Sequence, residues 1–343
     1  MIPWPLLPLL WYLVVGVCAL FYVVLDGFDL GVGLLHLFAK KDEERRVFLN
    51  AIGPVWDGNE VWLVVVGGAL FAGFPEAYAT IFSGFYDLCM LLLLGLVFRA
   101  VAIECRSKQY AHWWRTSWDI AFFVASFIIA YGLGVTLGCF IQGVPIDAHK
   151  TFIGTFEHVF TPYSLLMGFF VCVLFATHGT LFLAMKTEGE LMERICRWSE
   201  RATRIFAVLF CGVTAITWVY IPHMTRRFVE HPGLLSLGAL VVGCFWAIPY
   251  LARRRLTGWA FICSSCGIIT LFLICAIGFF PMILRSSLNP EHYSLTFENC
   301  ASSPLTLKIL LTIVAIGIPL VLAYGGMAYR IFRGKVHIDH TSY

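Results

Sequence analysis

The sequence predicts an all-α polytopic membrane protein with nine transmembrane helices: two four-helix bundles and one peripheral helix. Composition is the first reason. The 343 residues are 59% hydrophobic and only 13% charged, with a mean hydropathy of +0.82, which excludes ordinary soluble globular usage, and nothing in the chain points to nucleic acid. The second is the length of the apolar runs, each near or above the roughly 20 residues that a bilayer crossing needs. Long continuous runs argue against a β-barrel, whose strands would be short and alternating. The third is charge placement. Of 24 Lys and Arg, all but Lys150, Arg226, Arg227, Arg285 and Lys308 fall on one side of the predicted spans.

The first run, about 9–38, has no basic residue before it and is too long for a signal-peptide core, so it stays as a helix. It contains LDGFDLGVG at 25–33. The second, about 50–73, opens with GPVWDGNEVW, and GFPEA turns the chain into the third, about 77–103, which holds Asp87 and, near its end, Arg99. Arg99 can snorkel to the interface or, with Asp87 and Glu104, extend a polar path. The fourth run, about 117–141, leads through QGVPIDAHK into the fifth, about 163–185, with His178 in THGT.

Between Lys186 and Arg204, Glu190, Glu193 and Glu200 each precede an arginine by four residues. That spacing predicts a short surface helix. The remaining runs are about 203–222, 233–251, 259–284 and 307–331. The loops are too small to bury a core of their own, so residues 1–343 are read as a single transmembrane domain.

The basic loops belong in the cytoplasm, which puts the N-terminus outside and the C-terminus inside, as an odd number of spans requires. Nine of twelve cysteines fall inside helices, Cys105 and Cys196 on the inner side and Cys300 outside, so no disulfide framework is expected. Cys263 and Cys266 form a mid-helix CxxC that reads as polarizable packing. An impermeant maleimide from outside should label Cys300 and spare Cys105 and Cys196.

Asp26 and Asp29 are three residues apart and share a helix face with Gly33, and Asp57 and Glu60 repeat the spacing. Asp29 precedes Lys40 by 11 residues and Asp57 follows Arg46 by 11, so at about 1.5 Å per helical residue both lie roughly 16 Å from the loop charges. Each central acid costs about 2.5–3.5 kcal/mol unless neutralised or hydrated. Four at one level form a candidate proton relay, in which burial and repulsion keep a proton on at least one member of each pair. Trp56, Gly58 and Asn59 are its supporting residues; hydrogen-bonded glue between helices is the plain alternative. His36 and His178 are the histidines inside spans and do not make a facing pair, so no haem ligated by this chain and no metal site is expected.

Taken together, LDGFDLGVG, the run from 50 to 86 with WDGNEVWL, FRAVAIECRSK at 98–108 and QGVP at 142–145 resemble subunit II of cytochrome bd-type quinol oxidases. The resemblance implies a bacterial inner-membrane heterodimer. Its subunit I carries b-type and d-type haems, oxidises quinol and reduces oxygen to water. Subunit II is haem-free, stabilises the complex, can bind a structural quinone, and is associated with the supply of cytoplasmic protons; a small accessory subunit can join. By motif, Asp57 becomes the leading proton carrier, with Asp26 and Asp29 beside it. Val55 stands where some members have histidine, Glu60 where some have glutamine, and the loop between helices 6 and 7 is short. The competing readings are a proton-coupled secondary transporter, whose usual inverted repeats and interrupted helices are not evident, and a purely structural scaffold.

Overall fold

The computed structural model describes residues 6–336. Helix α1 (Leu6–Leu35) runs on into a 3-10 turn, His36–Phe38, before the chain reverses into α2 (Asp42–Ile52). Asp42, Glu43 and Glu44 occupy the first turn of α2, where carboxylates suit the positive end of the helix dipole. The Glu44 carboxylate also accepts from the backbone N–H groups of Lys40 and Lys41 at 2.7 and 3.4 Å. At 11 residues α2 is about 16 Å long, half a bilayer crossing, and it buries Phe48, Leu49, Ala51 and Ile52.

After a turn at 53–55 come α3 (Trp56–Gly73), α4 (Pro75–Gly84), α5 (Tyr86–Cys105) and α6 (His112–Gln142). The short α7 (Phe156–Val159) precedes α8 (Pro162–Lys186), which starts where the Thr161 hydroxyl accepts from the Ser164 N–H and Pro162 needs no N–H partner. Then follow α9 (Gly189–Tyr220), α10 (Pro222–Glu230), α11 (Leu235–Arg253) and α12 (Thr257–Phe279). An antiparallel pair, β1 (Met282–Leu284) and β2 (Leu295–Thr296), leads to α13 (Pro304–Ile331).

Among the described residues, eight helical segments are long and apolar enough to cross a membrane: Leu6–Phe38, Tyr86–Lys108, His112–Gln142, Pro162–Lys186, Gly189–Tyr220, Pro232–Arg253, Thr257–Phe279 and Pro304–Ile331. α3 falls outside that set because Asp57, Asn59 and Glu60 crowd its start. Several boundaries depart from expectation. The 50–73 run divides between α2 and α3, and the 77–103 run breaks at Phe85, whose ring is held between Phe140 and Phe152. The helix expected over 259–284 is α12, which stops at Phe279, ahead of Pro281.

The surface helix expected over 186–204 is instead the first half of α9, continuous to Tyr220. Its glutamates do not make ion pairs along their own helix. Glu200 takes a two-bond pair from Arg253 at 3.0 Å, Glu193 pairs with Arg255 at 2.5 Å, and Arg194 reaches Glu44 on α2 at 2.5 Å. Partners on neighbouring segments offer geometry that four-residue spacing did not reveal.

α1 is central, packed on α3, α6 and α8; α5 lies on α6, and α8, α9, α11 and α12 pack together. α13 rests against α1 and α3 with only Leu307 buried. The α1–α8 crossing is set by two glycines. A Cβ at Gly31 would stand 1.9 Å from the Phe175 carbonyl oxygen, and one at Gly179 2.5 Å from the Gly31 carbonyl carbon. Backbone touches backbone there, which only small residues allow.

Candidate functional site

The α1 acids are fully buried, and the helices around them supply their partners. Arg99 of α5 grips Asp26 through Nη2–Oδ1 at 2.6 Å and Nη1–Oδ2 at 3.0 Å, and its Nη1 lies 3.4 Å from Glu60 Oε2. Asp26 and Arg99 are both 0% exposed. A buried ion is tolerated only with such close, two-bond pairing. Asn59 of α3 donates to Asp29 Oδ2 at 2.7 Å and accepts from the Tyr329 hydroxyl of α13 at 2.8 Å. Four helices therefore converge on one polar cluster, in which Asp29 Oδ1 and Arg99 Nε are buried without a hydrogen-bond partner.

Of the residues expected here, Asp26, Asp29, Asn59 and Glu60 come together, and Trp56 is buried close by in sequence. Asp57 and Gly58 instead face outward, at the start of an α3 surface that also exposes Val61, Val64 and Val65. Counting residues from Arg46 does not give the depth of Asp57, since α2 and α3 are separate helices. The Asn59–Asp29 hydrogen bond is what fixes the level. Asp87 and Glu104 lie at exposed positions away from the cluster. Arg99 does not snorkel; it is the counter-ion, signalled in the sequence only by the need of two buried acids for one.

A second network escaped sequence reasoning. At the strongly basic face, Asp119 of α6 receives His36 Nε2 and Arg106 Nε at 2.5 Å and Arg45 Nη1 at 2.7 Å. Arg106 also donates to Asp42, as does Arg115, each at 2.7 Å. Beside it lies a cavity of about 270 Å³ lined by Lys40, Asp42, Arg45 and Asp119 among others. His36 Nδ1 and the Ser126 hydroxyl, one helix face inward, are buried without partners.

His178 has both ring nitrogens engaged, Nδ1 with the Ser264 hydroxyl at 2.9 Å and Nε2 with the Val24 carbonyl at 3.1 Å, and its ring stacks on Phe261 at 4.6 Å. Among the described residues no group of three or more His, Cys, Asp or Glu could hold a metal ion. The α1–α3–α5 cluster gathers three groups able to hold and exchange protons: the Asp26 and Glu60 carboxyls against Arg99, and the Asp29 carboxyl held by Asn59.

Comparison with known proteins places these features. Residues 7–332 match the family described as cytochrome bd terminal oxidase subunit II. The cytochrome bd-I ubiquinol oxidase subunit 2 of Escherichia coli K12 is 34% identical, over 98% of this chain and 97% of the relative. The cytochrome bd ubiquinol oxidase subunit 2 of Bacillus subtilis 168 is also 34% identical, over 97% and 98%. A chain in the solved bd oxidase of Geobacillus thermodenitrificans shares the fold, with a TM-score of 0.74 at 17% identity, covering 95% of this chain and 98% of that one.

Proposed function

Because the chain belongs to the cytochrome bd terminal oxidase subunit II family, and is thus a multi-pass bacterial inner-membrane subunit of an oxidoreductase complex, we propose that it is the haem-free half of a quinol:oxygen oxidoreductase that stabilises subunit I and delivers cytoplasmic protons to it. In this reading α3 is the ninth crossing and the N-terminus lies outside. α1, α3, α5 and α6 form one bundle and α8, α9, α11 and α12 the other, with α13 peripheral.

The observation that carries the reading is the position of Asp57. It is exposed on an apolar α3 surface, with no hydrogen-bond or ion-pair partner among the described residues. An acid facing lipid at that level is costly, so subunit I is the partner that covers it. One turn away, Glu60 links Asp57 to the buried Arg99–Asp26 pair and so to Asp29. Three carboxyls against one guanidinium reach electroneutrality when two protons are held among them. A proton taken up from the basic face then moves from the α1 acids to Glu60, on to Asp57, and across the subunit boundary.

Asp57→Asn keeps the size and removes the exchangeable proton. Quinol-driven oxygen consumption of the purified complex should fall at least about tenfold, with haem spectrum and subunit ratio unchanged, as for loss of a proton-transfer group. A wild-type rate from the intact variant complex would overturn the relay.

A further inference from the structure

Three of the five basic residues on the weakly basic face, Arg226, Arg227 and Arg285, converge on one place. It lies where α9 ends at Tyr220 and α12 ends at Phe279, with Trp218 and Tyr220 exposed beside it. Exposed aromatics at helix ends mark the headgroup level of a bilayer. A cavity of about 290 Å³ there is bounded by Arg226, Arg227, Phe280 and Arg285. A larger one of about 890 Å³ is bounded by Gln142, Tyr220, Arg285 and Ser287. The two share His223 and Arg285. Tyr163 and Met224 join them to an apolar cleft of about 180 Å³ between α8, α9 and α12.

The charges do not cancel. Arg226 is taken by Glu230 at 2.7 Å. Arg227 lies over the Phe280 ring at 4.9 Å, and Arg285 finds only the Met282 sulfur at 3.9 Å; among the described residues neither forms an ion pair. His223 donates Nε2–H to the Ile141 carbonyl at 2.8 Å. Burial, then the nearby Arg285 charge, hold its imidazole below the ordinary value, so the positive charge is that of the two arginines. Gln142 accepts from the Thr161 hydroxyl at 2.6 Å through Oε1, which leaves its NH2 free to donate.

We propose that this site binds an anionic phospholipid, with its phosphate between Arg227 and Arg285 and one acyl chain in the apolar cleft. A concentrated cation pair on the face otherwise poor in basic residues, opening into an apolar slot at headgroup level, suits a ligand that is anionic at one end and apolar at the other. A soluble anion would leave the slot unused. An uncharged amphiphile would leave two guanidinium groups half-buried without an anion.

The test uses the detergent-purified two-subunit complex, delipidated and then supplied with dioleoyl-phosphatidylglycerol or dioleoyl-phosphatidylcholine in mixed micelles. Bound lipid is read by native mass spectrometry and by the thermal midpoint. Wild type should bind phosphatidylglycerol and rise in midpoint with its concentration, and phosphatidylcholine should not substitute. Arg285→Gln should weaken binding about fivefold and the double variant with Arg227→Gln about twenty-five-fold. Arg285→Lys should retain most of it, and Arg226→Gln should change it little. Equal retention by the double variant, equal response to phosphatidylcholine, the same midpoint shift from inorganic phosphate alone, or a quinone as the retained ligand would each overturn the proposal.

Discussion

Removing Arg99 should cost more than any surface charge on the chain, and the cost should be recoverable at Asp26. The two side chains are fully buried and joined by bonds of 2.6 and 3.0 Å. Breaking a buried pair by deleting one partner typically costs about 3–5 kcal/mol, because the other charge is stranded. Arg99→Gln strands Asp26 and is expected to cost about 4 kcal/mol. Asp26→Asn should cost less, about 2 kcal/mol, since Arg99 keeps Glu60 at 3.4 Å. In the double variant no charge is stranded, so the loss should be about 3 kcal/mol and the coupling about 3 kcal/mol. Exposed pairs couple by about 1 kcal/mol or less. Denaturant titration of the solubilised complex measures the cycle, and the haem absorption spectrum reports whether subunit I is retained. Coupling below about 1 kcal/mol would show that the pair is not the counter-ion unit described here.

The other expectations concern packing, reactivity and pH. Gly31→Ala should destabilise by about 1–3 kcal/mol or disrupt assembly, because its Cβ has no room against Phe175. Cys300 is buried and burial pushes its thiol up to about 12; an impermeant maleimide should therefore label it only after denaturation, and native labelling at neutral pH would refute that. Orientation is better tested with cysteines at the exposed Glu291 and Glu190 positions, of which only the first should react from outside. Burial opposes ionisation of Glu44, but the Arg194 side chain and the Lys40 and Lys41 backbone outweigh it and lower its pKa below 4.5. Its contribution is then complete above the ordinary value and lost as pH falls through the folded one. The thermal midpoints of wild type and Glu44→Gln should differ at neutral pH and converge in acid.

Much of the helical order was legible because apolar runs are local: a run of apolar residues records its own need for lipid or core. The i,i+3 spacing placed Asp26 and Asp29 on one buried face for the same reason. Arg99 was harder, because its partner is 73 positions away, and an arginine near a helix end reads as interfacial until an acid is known to face it. Asp119 and His36 meet across 83 positions, which helix periodicity does not encode. The polarity of 186–204 suggested a separate helix; yet helix continuity depends on backbone bonds, and no proline interrupts the chain from Glu190 to Tyr220.

The polar residues of α1 explain why Asp57 stands apart. Asp26, Asp29 and Gly33 lie along one face of the helix, and His36 follows in the 3-10 turn that continues it. Near one end Arg99 meets Asp26; at the other, Arg106 and Arg45 meet Asp119, which holds His36. Between them Ser126 fills the notch left by Gly33, since a Cβ there would lie 1.9 Å from its hydroxyl. Carboxylates on or against α1 are thus met by guanidinium or amide groups from within the chain, as burial in a low-dielectric setting demands. Asp57 lies one turn from the same cluster and has no such partner among the described residues. On the reading proposed above, the fold supplies counter-groups to the acids around α1 and leaves this one on an apolar face for subunit I to cover; that is why Asp57, and not the better-buried Asp26, is the residue to substitute when proton delivery to the partner is measured.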